Sequence, residues 1–215
     1  MNNNGLKHCV LALVLGGLSG TAQATLITNG IFDSDLSGWS IDTTLQGGTS
    51  DGVIWSDDAV NWDGGLARVG QPGTPGVTEF FQVFNIPTGS QALSVSFEYL
   101  WQSNKPTIED FFQVELTYDT NGGSQTVVLL NEGSVSGNFS LPQTAFSQTI
   151  ALSDLAIVAP TGEVRFTLTE NNSSAGTRVH LDNVAAQAVP VPATLALMLL
   201  GVAGIGWSRS RSRKA

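Results

Sequence analysis

Apolar and polar residues alternate with a period of two along most of the middle of this 215-residue chain. In Leu93-Ser94-Val95-Ser96-Phe97-Glu98-Tyr99 the alternation is strict, and it returns in residues 112–118 and 164–169. Successive side chains of an extended chain point to opposite faces, so each run describes a strand with one face in a core and one in water. Shorter runs at 39–41, 53–55, 66–69, 80–84, 126–130, 146–150 and 178–184 add further strands, separated by turn-rich stretches such as Pro72-Gly73-Thr74-Pro75-Gly76. Asn121-Gly122-Gly123, between two such runs, predicts a hairpin. No amphipathic helix of any length is visible. Many short strands, each with one apolar face, close best as two antiparallel sheets packed face to face. The expected fold is all-β, an antiparallel β-sandwich in one domain.

The two ends break this pattern. Lys7 and His8 precede an apolar run at 9–18, and Ala22-Gln23-Ala24 has the small-x-small form that a signal peptidase cuts, so residues 1–24 read as a signal peptide cleaved after Ala24. Cys9, the single cysteine, lies inside that leader. The mature chain therefore has no thiol, which excludes disulfides, thiolate metal sites and cysteine nucleophiles. At the other end, Val189-Pro190-Val191-Pro192-Ala193 is followed by an apolar run about long enough to cross a bilayer and then by Arg209, Arg211, Arg213 and Lys214. A Pro-rich break, an apolar segment and a basic stop describe a carboxyl-terminal transmembrane anchor with its charged end in the cytoplasm. The chain divides into a leader (1–24), a sandwich domain (25–188) and a sorting tail (189–215).

That tail resembles the PEP-CTERM sorting signal of Gram-negative bacteria that export surface polysaccharide. The resemblance implies handling by an exosortase, a membrane protease, and a domain anchored in the inner membrane transiently or permanently before reaching the cell surface or the extracellular space. Val191 stands where the family usually has Glu between the prolines, so a simple tail anchor that is never processed remains an alternative.

Charge narrows the partners. All 18 acidic residues lie in the sandwich domain, but only Arg68, Lys105, Arg165 and Arg178 of the basic ones do. Four basic against 18 acidic residues leave that domain at −14, where the whole chain has −9. Such a surface repels nucleic acid and anionic lipid; neutral glycans and divalent cations remain acceptable.

Two end motifs sharpen the sandwich. Asn29-Gly30-Ile31-Phe32-Asp33 with Leu36-Ser37-Gly38-Trp39, and Val179-His180-Leu181-Asp182-Asn183-Val184, together resemble the galactose-binding-like jelly roll of many carbohydrate-binding modules. The resemblance implies first and last strands lying close together, a carbohydrate ligand, and a structural calcium ion between the motifs, with Asn29, Asp33 and Asp182 as candidate ligands. Calcium takes six to eight hard oxygen donors, which carboxylates and carbonyls supply. The alternative is that Asp33 begins a turn and Asp182 pairs with Arg178 or His180, which alternation puts on the same strand face. Asp57, Asp58 and Asp63 read as a solvated turn.

Sugar binding needs exposed aromatic faces beside polar groups. Trp62, in a polar loop, and Trp101, expected just past the end of a strand at 93–100, are the candidate platforms; Trp39 and Trp55 are expected in the core. Catalysis finds little support: the mature chain has one histidine, His180, and no nucleophile elbow, phosphate loop or zinc-spaced His cluster. The expectation is a non-enzymatic exported protein that binds polysaccharide in an exopolysaccharide or biofilm layer. Alternatives are a structural matrix protein without a defined ligand and a glycoside hydrolase with two facing carboxylates.

Overall fold

The protein is described here from a computed structural model over residues 25–44, 52–57, 65–70, 75–105, 109–133, 137–140, 143–156, 158–171 and 177–189. The leader with Ala22 and Ala24, the tail from Pro190 through the basic stop, and Trp62 lie outside the described residues. No helix among the described residues is long and apolar enough to cross a membrane.

The described residues form two antiparallel sheets. Sheet A orders its strands β1 (Ser40–Thr43), β4 (Gly76–Asn85), β10 (Thr161–Glu170), β6 (Phe111–Thr120) and β7 (Gly123–Gly133). Sheet B runs β2 (Val53–Asp57), β3 (Gly65–Val69), β11 (Thr177–Val189), β5 (Ala92–Lys105) and β8 (Gly137–Ser140), with β9 (Thr144–Ala151) also paired to β5. The fold class matches the periodicity. β6 and β7 are joined at Asn121-Gly122 as the hairpin motif predicts, and Gly123 holds a φ of 126°, a conformation that favours glycine. The short β8 has no counterpart among the runs read from the sequence.

Inward positions of both sheets make one core. Phe112 and Phe166 stack at 6.4 Å, Phe97 meets Phe166 edge-on at 5.2 Å, and all three are buried. Each such ring contributes roughly 1.5–3 kcal/mol by leaving water. Trp39 closes one end of this core, stacked on Phe80 at 4.4 Å, as its position after Gly38 predicts. One hydrogen bond ties the layers together: Tyr99 Oη, inward on β5, donates to Glu132 Oε1 on β7 at 2.9 Å. Burial and the Glu132 carboxylate together hold that phenol well above its ordinary pKa, so it stays a donor.

The segment 25–30 docks against the last strand. Leu26 N donates to Ala186 O (2.7 Å), and Val184 N donates to Gly30 O (2.9 Å). A side chain at Gly30 would place its Cβ 1.9 Å from Val184 O, so only glycine permits the approach. This explains Asn-Gly at one end of the domain and Asp-Asn-Val at the other: the two motifs touch. Opposite this contact β11 slips register against β5 between Asp182 and Ala185, and Asn183 takes up the irregularity at a φ of 52°. Asn reaches the left-handed region more readily than most residues.

Candidate functional site

Strand alternation gives sheet B an outer face whose residues follow from the register. Val179 and Leu181 of β11 point into the core, so Arg178, His180 and Asp182 point away from it. Pairing lines them up with their neighbours. Ile54, Arg68, His180 and Leu100 form one row across β2, β3, β11 and β5. Arg178 faces Gln102 on one side of this row, and Asp182 faces Glu98 on the other. The span from Arg178 to Asp182 along the strand is about 13 Å.

The face is basic at one end and acidic at the other. Arg178 Nε donates to Gln102 Oε1 at 2.9 Å, and Arg68 Nε is buried with no hydrogen-bond partner. Burial, together with the neighbouring Arg178 charge, pulls the Arg68 guanidinium below its ordinary pKa. At the acidic end Asp182 is buried despite its outward orientation. Its carboxylate accepts from Asn183 N at 2.7 Å, which favours the charged form, but burial outweighs this. Glu98 and Asp33 add like-charge repulsion, and the Asp182 pKa is raised from 3.8 to about 6. The pairing of Asp182 with Arg178 considered above is not formed: Arg178 reaches across to β5 instead.

The candidate ligand residues separate. Asp33 and Asp182 lie close enough to feel each other's charge. The Asn29 side chain is turned elsewhere, its Nδ2 donating to Asp35 O (2.9 Å) and Asp35 Oδ1 (3.1 Å), while its backbone carbonyl accepts from Trp39 Nε1 (3.1 Å). Among the described residues no three His, Cys, Asp or Glu side chains converge to hold a metal ion.

The expected aromatic platforms change places. Trp101 is fully buried, packed edge-on against Phe112 with ring centroids 6.1 Å apart. The strand expected to stop at residue 100 runs to Lys105, so Trp101 simply continues the inward series Phe97 and Tyr99. It is a core residue and presents no face to a ligand. Trp55, expected inside, is instead 37% exposed in the middle of edge strand β2. Its indole lies across Gly65, where a Cβ would come within 2.3 Å of Nε1, and that Nε1 donates to Phe32 O at 2.7 Å. The ring is thereby fixed in orientation.

Asp182 and Glu98 face each other across β11 and β5, which raises the question of acid–base chemistry. Asn183 Nδ2 answers it, lying 3.1 Å from Glu98 Oε2 and 3.4 Å from Asp182 Oδ2. One amide nitrogen bridges the two carboxylates, so no glycosidic bond fits between them as a glycosidase requires. The residues that sequence reasoning passed over are Arg68, Glu98 and Gln102. Alternation marks each as outward-facing, but only the pairing of strands far apart in the chain brings them beside Arg178, His180 and Asp182.

Comparisons with known proteins agree with this architecture. Residues 188–212 match the PEP-CTERM protein-sorting motif, which indicates an exported protein sorted by an exosortase. No curated protein matches the chain. Among solved structures, the CBM61 module in complex with β-1,4-galactotriose superposes with a TM-score of 0.50 at 13% identity, covering 77% of this chain and 99% of that one. A second carbohydrate-binding module, from family 16, gives 0.46 at 14% identity, covering 75% of this chain and 98% of its own. The enzymatically active domain of bacteriophage CBA120 tailspike protein 4 also gives 0.46 at 14% identity, but the match takes in 21% of that chain against 77% of this one. The domain thus shares the β-sandwich fold of carbohydrate-binding modules, and a sorting motif begins within its last strand.

Proposed function

We propose that this is an exported, non-catalytic carbohydrate-binding protein of a Gram-negative cell surface. In this reading the tail holds it in the inner membrane until an exosortase acts, and the sandwich then works in an exopolysaccharide or biofilm matrix. The ligand site is the outer face of sheet B. The observation that carries the reading is the set of polar side chains there with hydrogen-bonding capacity to spare, above all Arg68 with its buried, unpartnered Nε. Saccharides are recognised by such convergent donors and acceptors beside apolar surface, here Ile54 and Leu100. The likeness of fold to carbohydrate-binding modules supports the reading, as does the amide wedged between Glu98 and Asp182, which argues against hydrolysis.

The test is a polysaccharide pull-down and glycan-array screen on the full-length protein in detergent, repeated with Gln102→Ala. Saturable binding to at least one glycan, weakened in a variant that melts like the parent, is the expected result. No binding to any glycan by the folded protein would leave a matrix component without a defined ligand as the better account.

A further inference from the structure

The sandwich domain is strongly acidic, yet its cations are not spread evenly. Of its four basic residues, Arg68, Lys105 and Arg178 lie on strands β3, β5 and β11 of sheet B, and Arg165 alone is on sheet A. Arg165 is neutralised, with Glu79 and with Glu163 at 2.8 Å. Arg68 and Arg178 are not: among the described residues neither forms a salt bridge. They stand on neighbouring strands one row apart, each adding to the other's repulsion, and Arg68 is partly desolvated as well. Two like charges held together with a buried donor left unpaired are unfavourable in the free protein. In a chain with 18 carboxylates, placing even one of them there would relieve both problems.

We infer that the basic end of the outer face of sheet B binds the carboxylate of an acidic sugar, so that the protein recognises a uronate-containing polysaccharide in preference to a neutral one. This rests on the carbohydrate-binding reading above and narrows it. A guanidinium presents a planar fork that matches a carboxylate, and Gln102, held by Arg178, offers its own amide N–H groups beside it. At the far end Asp182 and Glu98 repel a second carboxylate and accept from sugar hydroxyls. The face therefore orients the ligand, acid group toward Arg68 and Arg178, neutral ring toward Asp182. The same polarity disfavours a densely charged polymer such as DNA, because the domain carries −14 around a basic patch of only two arginines.

The inference is tested by titrating the full-length protein with a galactotriose carrying one terminal galacturonate and with neutral galactotriose, at low and at high salt, followed by calorimetry. The mono-acidic trisaccharide should bind roughly ten-fold tighter or better, and salt should erode the difference. In Arg68→Gln and Arg178→Gln the ratio of acidic to neutral affinity should fall to about one, whatever becomes of the weaker galactotriose binding, with circular dichroism unchanged and melting no lower than in the parent. Equal affinity for the two sugars in the parent protein would overturn the inference and leave the carbohydrate-binding reading standing. Failure to bind these or any other glycan would remove both. Equal or tighter binding of a single-stranded oligonucleotide or inorganic phosphate would show a general anion site and also overturn it.

Discussion

The two outer faces of this sandwich are built from similar residues and end in opposite states. On sheet A, Arg165 lies over the Phe81 ring at 4.2 Å and is flanked by Glu79 and Glu163. Around it Gln113 donates to Glu115 (2.6 Å), and the Thr117 and Thr126 hydroxyls meet at 2.9 Å. Polar groups there satisfy one another. On sheet B, Arg68 and Arg178 form no salt bridge among the described residues, and Glu98 and Asp182 on the same face are bridged by one asparagine. The difference lies in placement alone, since each face has both signs of charge. A face whose charges are matched internally has little to gain from a ligand; a face whose charges are segregated has a great deal.

The contrast can be broken most severely from beneath. Trp101→Ala removes a buried indole that both layers share and should cost about 3–5 kcal/mol, read as a fall in the denaturation midpoint. A variant that kept its stability but lost glycan binding would return Trp101 to the surface role the sequence first suggested. Next in size is an exchange between faces. Arg165→Gln should lose on the order of 1 kcal/mol and leave glycan binding intact, because its ion pairs are part-exposed and structural. Arg68→Gln should leave stability nearly untouched or raise it and weaken acidic-glycan binding. Reversal of that pattern in paired melting and binding measurements would mean that the working face is sheet A.

The smallest effects are in pH, and they carry opposite signs. Asp119, on the outer side of sheet A, accepts from Thr161 Oγ1 at 2.6 Å and Thr161 N at 2.9 Å, and these hydrogen bonds pull its pKa below 3.8. Its contribution to stability is present above the ordinary carboxylate pKa and lost as pH falls through the lowered one. Its hydrogen bonds are only part-buried and open to solvent screening, so this amounts to about a few tenths of a kcal/mol at most. Asp182 does the reverse. With a folded pKa near 6 against 3.8 unfolded, the native state holds the proton more tightly, and stability falls as pH rises between about 4 and 6. Asp182→Asn should flatten the melting-temperature profile over that interval; a profile unchanged by the substitution would mean that its carboxyl is solvated like any other.

How much of this was written in the sequence depends on range. Alternation of 93–99, 112–118 and 164–169 located strands, and Asn121-Gly122 located a hairpin, because these are properties of neighbours in the chain. The strand end at residue 100 was misplaced because Gln102 and Ser103 are polar; the tertiary pairing of β5 with β11 and β8 carries the strand on to Lys105. Trp101 and Trp55 changed roles for the same reason, since extension of one strand and the edge position of another decide their burial. The charged face was less legible still. Arg68, Glu98 and Arg178 are separated by 30 and 80 residues of chain and meet only through the order β3-β11-β5.

That order also governs how the protein can be delivered. β11, the last strand, lies in the middle of sheet B between β3 and β5, and the amino-terminal segment docks against it as well. A chain that crosses a membrane amino end first arrives with a gap at the centre of one sheet, and its early strands have nothing to close upon. Sheet B lacks its central strand until residues 177–189 emerge, and the sorting motif begins within that strand. Closure of that sheet therefore waits on the same residues in which the sorting motif begins.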